Sequence, residues 1–191
     1  MEIAVKPIVV AITGASGAIY ARELLAALVR RRVRVHLTMT EAGARLLHDE
    51  LGLRADAERF SPAALVRGAG SRVTYHPYSD IGAPIASGGY ATGGMAIVPC
   101  SMNTLAAVAA GLGRNLIERA AAVTLKERRP LVVVPRETPL STIMIENMLR
   151  LAQAGACVLP AMPGFYNRPG SVGDLVDFIV KKVLEHLLVN Q

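Results

Sequence analysis

Ile8-Val9-Val10-Ala11-Ile12-Thr13-Gly14-Ala15-Ser16-Gly17-Ala18 is the stretch that decides the fold. Its first six residues are apolar or β-branched without alternation, as in a strand buried on both faces. The Gly/Ser turn breaks that strand. From about Ile19 to Arg31, Leu24, Leu25 and Leu28 then recur on one face of a helix. A buried strand, a tight turn and a helix together open a β-α-β unit.

The same alternation continues outward. Val33 to Met39 reads as a second strand, and Thr40 is placed to cap a helix through about Leu51. Residues 52–94 are the least regular, with three Pro, many Gly and Ser, and one short strand at Arg72 to His76. They read as a structured excursion within the same domain, and long loops of this kind are usually functional. Strand and helix return at Met95–Pro99 and Ser101–Ala110. Asn115-Leu116-Ile117-Glu118 resembles a capping box opening a helix through about Lys126. A strand at Leu131–Val134, a helix from Ser141 to near Gly155 and a short strand at Cys157–Leu159 follow. After the Pro160–Pro169 loop, Ser171-Val172-Gly173-Asp174 opens a last helix. Right-handed crossovers then predict a doubly wound parallel α/β sheet with helices on both faces, as one domain spanning residues 1–191.

Composition excludes several classes. Of the 191 residues, 52% are hydrophobic and 19% charged, which supports a large core and not a disordered chain. No apolar run approaches the ~20 residues of a membrane helix, and Met1–Pro7, with Glu2 and Lys6, does not resemble a leader. Cys100 and Cys157 are too few for a disulfide framework, so a cytoplasmic setting is expected. His36, His48, His76 and His186 form no metal-ligand spacing, and no metal is expected. The net charge of +6 favours anionic ligands. The basic residues are scattered or stand beside Glu, so small phosphorylated molecules are expected and nucleic acid is not.

Ligands of such sheets bind beyond the carboxyl ends of the strands, and the chemistry-bearing motifs are expected there. Thr13–Ala18 offers backbone amides and the Ser16 hydroxyl at a helix N-terminus, suiting phosphate; a tight turn with Ser16 as cap fits equally well. Pro99–Thr104 places Ser101 and Thr104 at another helix start. Cys100 reads there as a small core residue, or as a thiol of lowered pKa. Arg119 and Lys126, two helical turns apart, share a face and can clamp a phosphate or simply line a solvated stripe. Arg136-Glu137 lies between Pro135 and Thr138-Pro139, displaying a phosphate-binding cation and a proton-exchanging carboxylate. Glu137 can equally complement the dipole of the helix that follows. Phe165 and Tyr166 adjoin in a chain with three Phe, five Tyr and no Trp. Tyr166 can set a phenol on a phosphate, or the pair can plug a loop.

Taken in order, TGASGA, Pro84-Ile85-Ala86-Ser87-Gly88, PCSMNTLAAVA, NLIERAAAVTLKERRPLVVVPRETP and LPAMPGFYNRP resemble the UbiX-type flavin prenyltransferase family over nearly the whole chain. The resemblance implies a flavodoxin-like (Rossmann-like) fold and a reaction on reduced FMN. A dimethylallyl group from dimethylallyl phosphate joins the flavin N5 and C6, giving prenylated FMN for a UbiD-type decarboxylase. It also implies that Gly14, Ala15, Ser16, Thr40, Ser101, Thr104 and Arg136 contact FMN. Arg119, Lys126, Tyr166 and Lys182 would hold the dimethylallyl phosphate, with Glu50 and Ser87 beside them. Glu137 and Ser16 would handle proton transfer, and the cations would stabilise the leaving phosphate without a metal. Family members assemble as dodecamers, and the apolar Gly/Ala-rich loops fit a homo-oligomer. The chain departs from the family pattern at Ile81, after Asp80, where many members carry Trp; Tyr75, Tyr78, Tyr90 or the flavin can substitute. Lys182 stands where Arg is common. Two other readings remain open: an FMN-dependent oxidative cysteine decarboxylase and a non-catalytic flavin carrier.

Overall fold

The computed structural model describes residues 6–188, and the reading of Met1–Val5 lies outside that range. The buried apolar runs form six strands: β1 (Ile8–Ile12), β2 (Val35–Met39), β3 (Val73–Tyr75), β4 (Gly94–Cys100), β5 (Leu131–Pro135) and β6 (Cys157–Val158). All neighbours pair in parallel, in the order β3-β2-β1-β4-β5-β6. The order reverses between β1 and β4, which opens a crevice at their carboxyl ends.

Among the described residues, seven α-helices connect and cover these strands: α1 (Ala18–Arg30), α2 (Glu41–Leu51), α3 (Pro62–Leu65), α4 (Met102–Ala109), α5 (Leu116–Lys126), α6 (Thr142–Gln153) and α7 (Val172–Leu188). Side-chain alternation divides the core into two layers. Ile8, Val10 and Ile12 join Val35, Leu37 and Met39 against Leu24, Leu25 and Leu28 of α1 and Ile179 and Val183 of α7. Val9, Ala11, Met95 and Ile97 face the other way, onto Leu105 of α4, Ile117 and Ala121 of α5 and Leu151 of α6. Each fully buried Leu contributes about 1.5–3 kcal/mol, so these two layers supply the main driving force.

Helix starts follow the expected chemistry. Thr40 Oγ1 accepts from the Gly43 amide (3.0 Å), Ser101 Oγ from Thr104 (3.3 Å) and Ser141 Oγ from Met144 (3.3 Å). Asn115 caps α5 through the Glu118 amide (3.0 Å). The Glu118 carboxylate reaches back to the Arg114 amide and to Asn115 Nδ2.

The expected strand from Val33 begins two residues later. The Val33 amide instead donates to Leu28 and that of Arg32 to Val29, closing α1 with Arg32 at φ 60°. The irregular 52–94 stretch contains α3, β3 and two 3-10 turns, Gly70–Arg72 and Pro84–Ala86. Among the described residues, no helix is long and apolar enough to cross a membrane.

Candidate active site

At the crevice, β1 and β4 are tied by one hydroxyl. Thr13 Oγ1 donates to the Pro99 carbonyl (2.9 Å) and accepts from the Ser101 amide (2.7 Å). That bond sets the start of α4, where Ser101 Oγ and Thr104 Oγ1 lie 3.0 Å apart. The first-turn amides of Met102 and Asn103 point out of the helix end beside them. Gly14 and Gly43 bring α2 close to this edge. A Cβ on Gly14 would lie 2.5 Å from Ala42 Cβ, and one on Gly43 2.6 Å from the Ile12 carbonyl oxygen.

The N-terminus of α1 is filled differently from expectation. Gly17 is its N-cap and Ser16 does not cap it. The Glu50 carboxylate, arriving from the end of α2, accepts from the Gly17 amide (3.0 and 3.1 Å) and the Ala18 amide (2.7 Å). Burial pushes the Glu50 carboxyl up. The Ser16 hydroxyl, the two amides and the Arg136 guanidinium outweigh it and hold the group below the usual carboxylate range. An internal carboxylate thus takes the place that the Gly/Ser turn alone assigns to phosphate. Arg136 Nε donates to the Ser16 carbonyl (3.3 Å), bringing the end of β5 onto the same turn. Glu137 follows, its Oε1 accepting from the Thr138 amide at 3.0 Å. Gly14, Ala15, Ser16, Thr40, Glu50, Ser101, Thr104, Arg136 and Glu137 therefore share the carboxyl edge.

Of the remaining expected residues, Lys126 and Ser87 do not join them within one chain. α5 runs from Leu116, whose amide donates to Tyr78 beyond β3, down toward the start of β5. Arg119 and Lys126 share a face but stand about 10 Å apart along the axis. Arg119 is exposed, its stem near Gly113, while Lys126 Nζ lies 3.9 Å from Glu127 Oε1 beside Gly88. Lys126 and Ser87-Gly88 thus belong to the amino edge, contrary to the expectation that all motifs share the carboxyl one. A third group lies on α7 and the loop before it. Lys182 donates to Glu185 (2.8 Å), which holds its ammonium above the usual range, with a smaller contribution from Tyr166. Tyr166 is exposed and packs edge-on to Phe178, with ring centres 6.0 Å apart.

Cys100 follows the small-core reading. It is fully buried, and burial pushes its thiol up to about 12, away from a thiolate. Ile81 is exposed on its turn. Of the tyrosines that can substitute for an aromatic there, Tyr75 donates to the Ala57 carbonyl and Tyr90 is bonded to His36. Tyr78, whose hydroxyl donates to Glu41 (3.3 Å), remains nearest the carboxyl edge. Sequence reasoning missed Thr13 as the tie between strands and Arg129 as a bonding centre. A polar residue ending an apolar strand was the available signal for Thr13; nothing local marked Arg129.

Known proteins resemble this chain along most of its length. The flavoprotein family model matches residues 2–184. The flavin prenyltransferase UbiX of Halalkalibacterium halodurans is 48% identical over 178 residues, covering 93% of this chain and 86% of the relative. The crystal structure of AnUbiX (PadA1) in complex with FMN and dimethylallyl pyrophosphate superposes with a TM-score of 0.84 at 42% identity, covering 96% of this chain and 92% of that one. A dodecameric FMN-dependent UbiX-like decarboxylase from Escherichia coli O157:H7 gives 0.82 at 41% identity, covering 94% and 93%. With the crevice geometry and this likeness along nearly its full length, the chain belongs to the flavoprotein family and, within it, to the flavin prenyltransferases.

Proposed function

We propose that this protein, acting as one domain in the cytoplasm, joins a dimethylallyl group from dimethylallyl phosphate to N5 and C6 of reduced FMN. The product, prenylated FMN, is released for a UbiD-type decarboxylase. The observation that carries this reading is the carboxyl-edge cluster of Ser16, Glu50, Arg136, Ser101 and Thr104 around the β1/β4 crevice.

Its donors fit a flavin mononucleotide. With the α1 end occupied by Glu50, the flavin phosphate belongs at the start of α4, against the Ser101 and Thr104 hydroxyls and the adjacent amides. Gly14, Ala15 and Ser16 border the ring side, with Thr40 on the neighbouring helix start and Arg136 across the turn. Allylic C–O cleavage leaves the electron pair on the phosphate, so stabilising that anion is the protein's main task. Arg119, Lys126, Lys182 and Tyr166 supply three cations and a phenol for it without calling on a metal. Glu137 protonates the leaving phosphate and later accepts a ring proton, with Ser16 relaying at the flavin side.

Lys126 lies at the edge opposite the crevice in one chain, so copies of the chain complete each other's sites. Ile143 (71% exposed), Ile145 (52%) and Leu149 (56%) on α6 are apolar side chains suited to that assembly, as are Met162 and Phe165. They lie on a helix and the Pro160–Pro169 loop, and Ile81 and Leu112 add exposed apolar groups on the Gly/Ala-rich loops expected from sequence.

The test is mass spectrometry of the flavin after anaerobic incubation with reduced FMN and dimethylallyl phosphate. A gain of one prenyl unit is expected; unchanged flavin would mean carriage and overturn the reading. Glu137→Gln should bind FMN normally and lose roughly 10²–10⁴ in rate. Wild-type turnover by that variant would remove Glu137 from the mechanism.

A further inference from the structure

Arg129 is the bonding centre of the amino edge. Its Nη2 donates to the Gly88 carbonyl (2.8 Å), and its Nη1 to the Tyr90 carbonyl (2.9 Å) and Thr92 Oγ1 (3.4 Å). All three acceptors are neutral and belong to one segment, the approach to β4. Among the described residues its guanidinium makes no ion pair. The backbone of Arg129 is itself fixed. Arg128 turns left-handed at φ 53°, its amide donates to Leu125, and the Arg129 amide donates to Thr124, closing α5. From that anchored base the rigid planar fork holds two carbonyls from two separate nitrogens, a geometry that a single ammonium nitrogen does not reproduce.

The gripped segment is pressed onto the end of α5. A Cβ on Gly88 would collide with the Glu127 carboxylate and lie 3.3 Å from Lys126 Nζ, so the backbone at Ser87-Gly88 forms a wall directly beside Lys126. The far side of the segment is held as well, since the Tyr90 hydroxyl lies 2.8 Å from His36 Nε2 on β2. Arg129 points at neutral carbonyls, which separates it from the exposed cations Arg119 and Lys126.

We propose that Arg129 is a positioning residue that holds Ser87 and Gly88 against Lys126 and so shapes the pocket for the donor phosphate, with Tyr90 as the second brace. The inference rests on Lys126 serving the donor phosphate as proposed above. It predicts an effect confined to one substrate, because the FMN donors lie at the opposite edge of the sheet.

The experiment compares wild type with Arg129→Gln, Arg129→Lys and Tyr90→Phe, reading four quantities. These are KM for dimethylallyl phosphate, Kd for FMN, assembly size, and hydrogen exchange of the amides in residues 87–93. Losing charge-assisted bonds should raise the donor KM about tenfold in Arg129→Gln. FMN affinity and assembly size should stay at wild-type values, and exchange should quicken in residues 87–93. Arg129→Lys should recover part of the loss, and Tyr90→Phe should show a smaller shift of the same kind. If Arg129→Gln does not fold, the other two variants decide by the same readouts. An unchanged donor KM, a parallel loss of FMN affinity, a change of assembly size or unchanged exchange would each overturn the positioning role. A wild-type protein that leaves the flavin mass unaltered would instead overturn the activity; the exchange readout still judges the brace.

Discussion

Thr13 shows how much one hydroxyl can organise. It is fully buried, and its Oγ1 both donates to Pro99 and accepts from Ser101, so its hydrogen-bonding capacity is used across the crevice. Thr13→Val keeps the shape and removes those bonds, leaving the Ser101 amide without its acceptor. The expected cost is about 1–3 kcal/mol, seen as a lower urea midpoint at unchanged slope. Thr13→Ser, which keeps the oxygen, should recover most of it. Because Ser101 caps α4, FMN affinity should also fall in the Val variant and not in the Ser variant. Equal midpoints for Val and Ser would refute the assignment. Thr13 stood in view as the polar end of an apolar strand. Its partner at Pro99 is 86 positions away, and no local pattern names a contact at that distance.

Helix ends account for both the success and the error of the sequence reading. The caps at Thr40, Ser101, Asn115 and Ser141, and the closing Gly155, are signals carried within a few residues, so the order and extent of most elements were legible. α6 and α4 close on Gly155 (φ 94°) and Gly111 (φ 70°), where glycine meets no steric cost. α1 closes on Arg32 at φ 60°, and no glycine announces it, so the sequence suggests a strand from Val33 where the strand begins at Val35. An L-residue there carries about 1–2 kcal/mol of strain, partly offset because glycine loses more entropy on folding. Arg32→Gly should therefore stabilise by about 0.5 kcal/mol, raising Tm by roughly 1–2 °C. The Arg32 carbonyl that accepts from Arg72 is retained in the variant. Gly155→Ala is the reverse test: with nothing within 4 Å of the added Cβ, its loss of about 1 kcal/mol would reflect backbone strain alone. A lower Tm for Arg32→Gly would show that its side chain contributes more than its φ costs.

At the scale of the whole molecule, the fold was readable because a parallel sheet writes itself as buried runs separated by capped helices. The distribution of the site was not. Residue types and spacing identified phosphate chemistry, but the direction of α5, which sends Lys126 to the amino edge, comes from three-dimensional connection. The same limit hid the link across the second core layer, where His36 Nδ1 lies 2.8 Å from His76 Nε2 and His36 Nε2 lies 2.8 Å from the Tyr90 hydroxyl. Burial, then the neighbouring His76 and Arg34, push His36 down to about 4. Burial also lowers His76, against an opposing pull from Asp80. Both imidazoles are therefore harder to protonate folded than unfolded, where the ordinary value is 6.5. Between those limits the unfolded chain binds more protons, so stability is full above about pH 6.5 and falls as pH drops toward 4. His36 alone can account for a loss of up to about 3 kcal/mol across that window. Melting followed from about pH 7 down to pH 4 should show the decline in wild type. In His36→Gln, which lacks the titrating ring at the centre of the link, the slope should be clearly shallower. Equal slopes in the two proteins would assign the acid sensitivity to other groups.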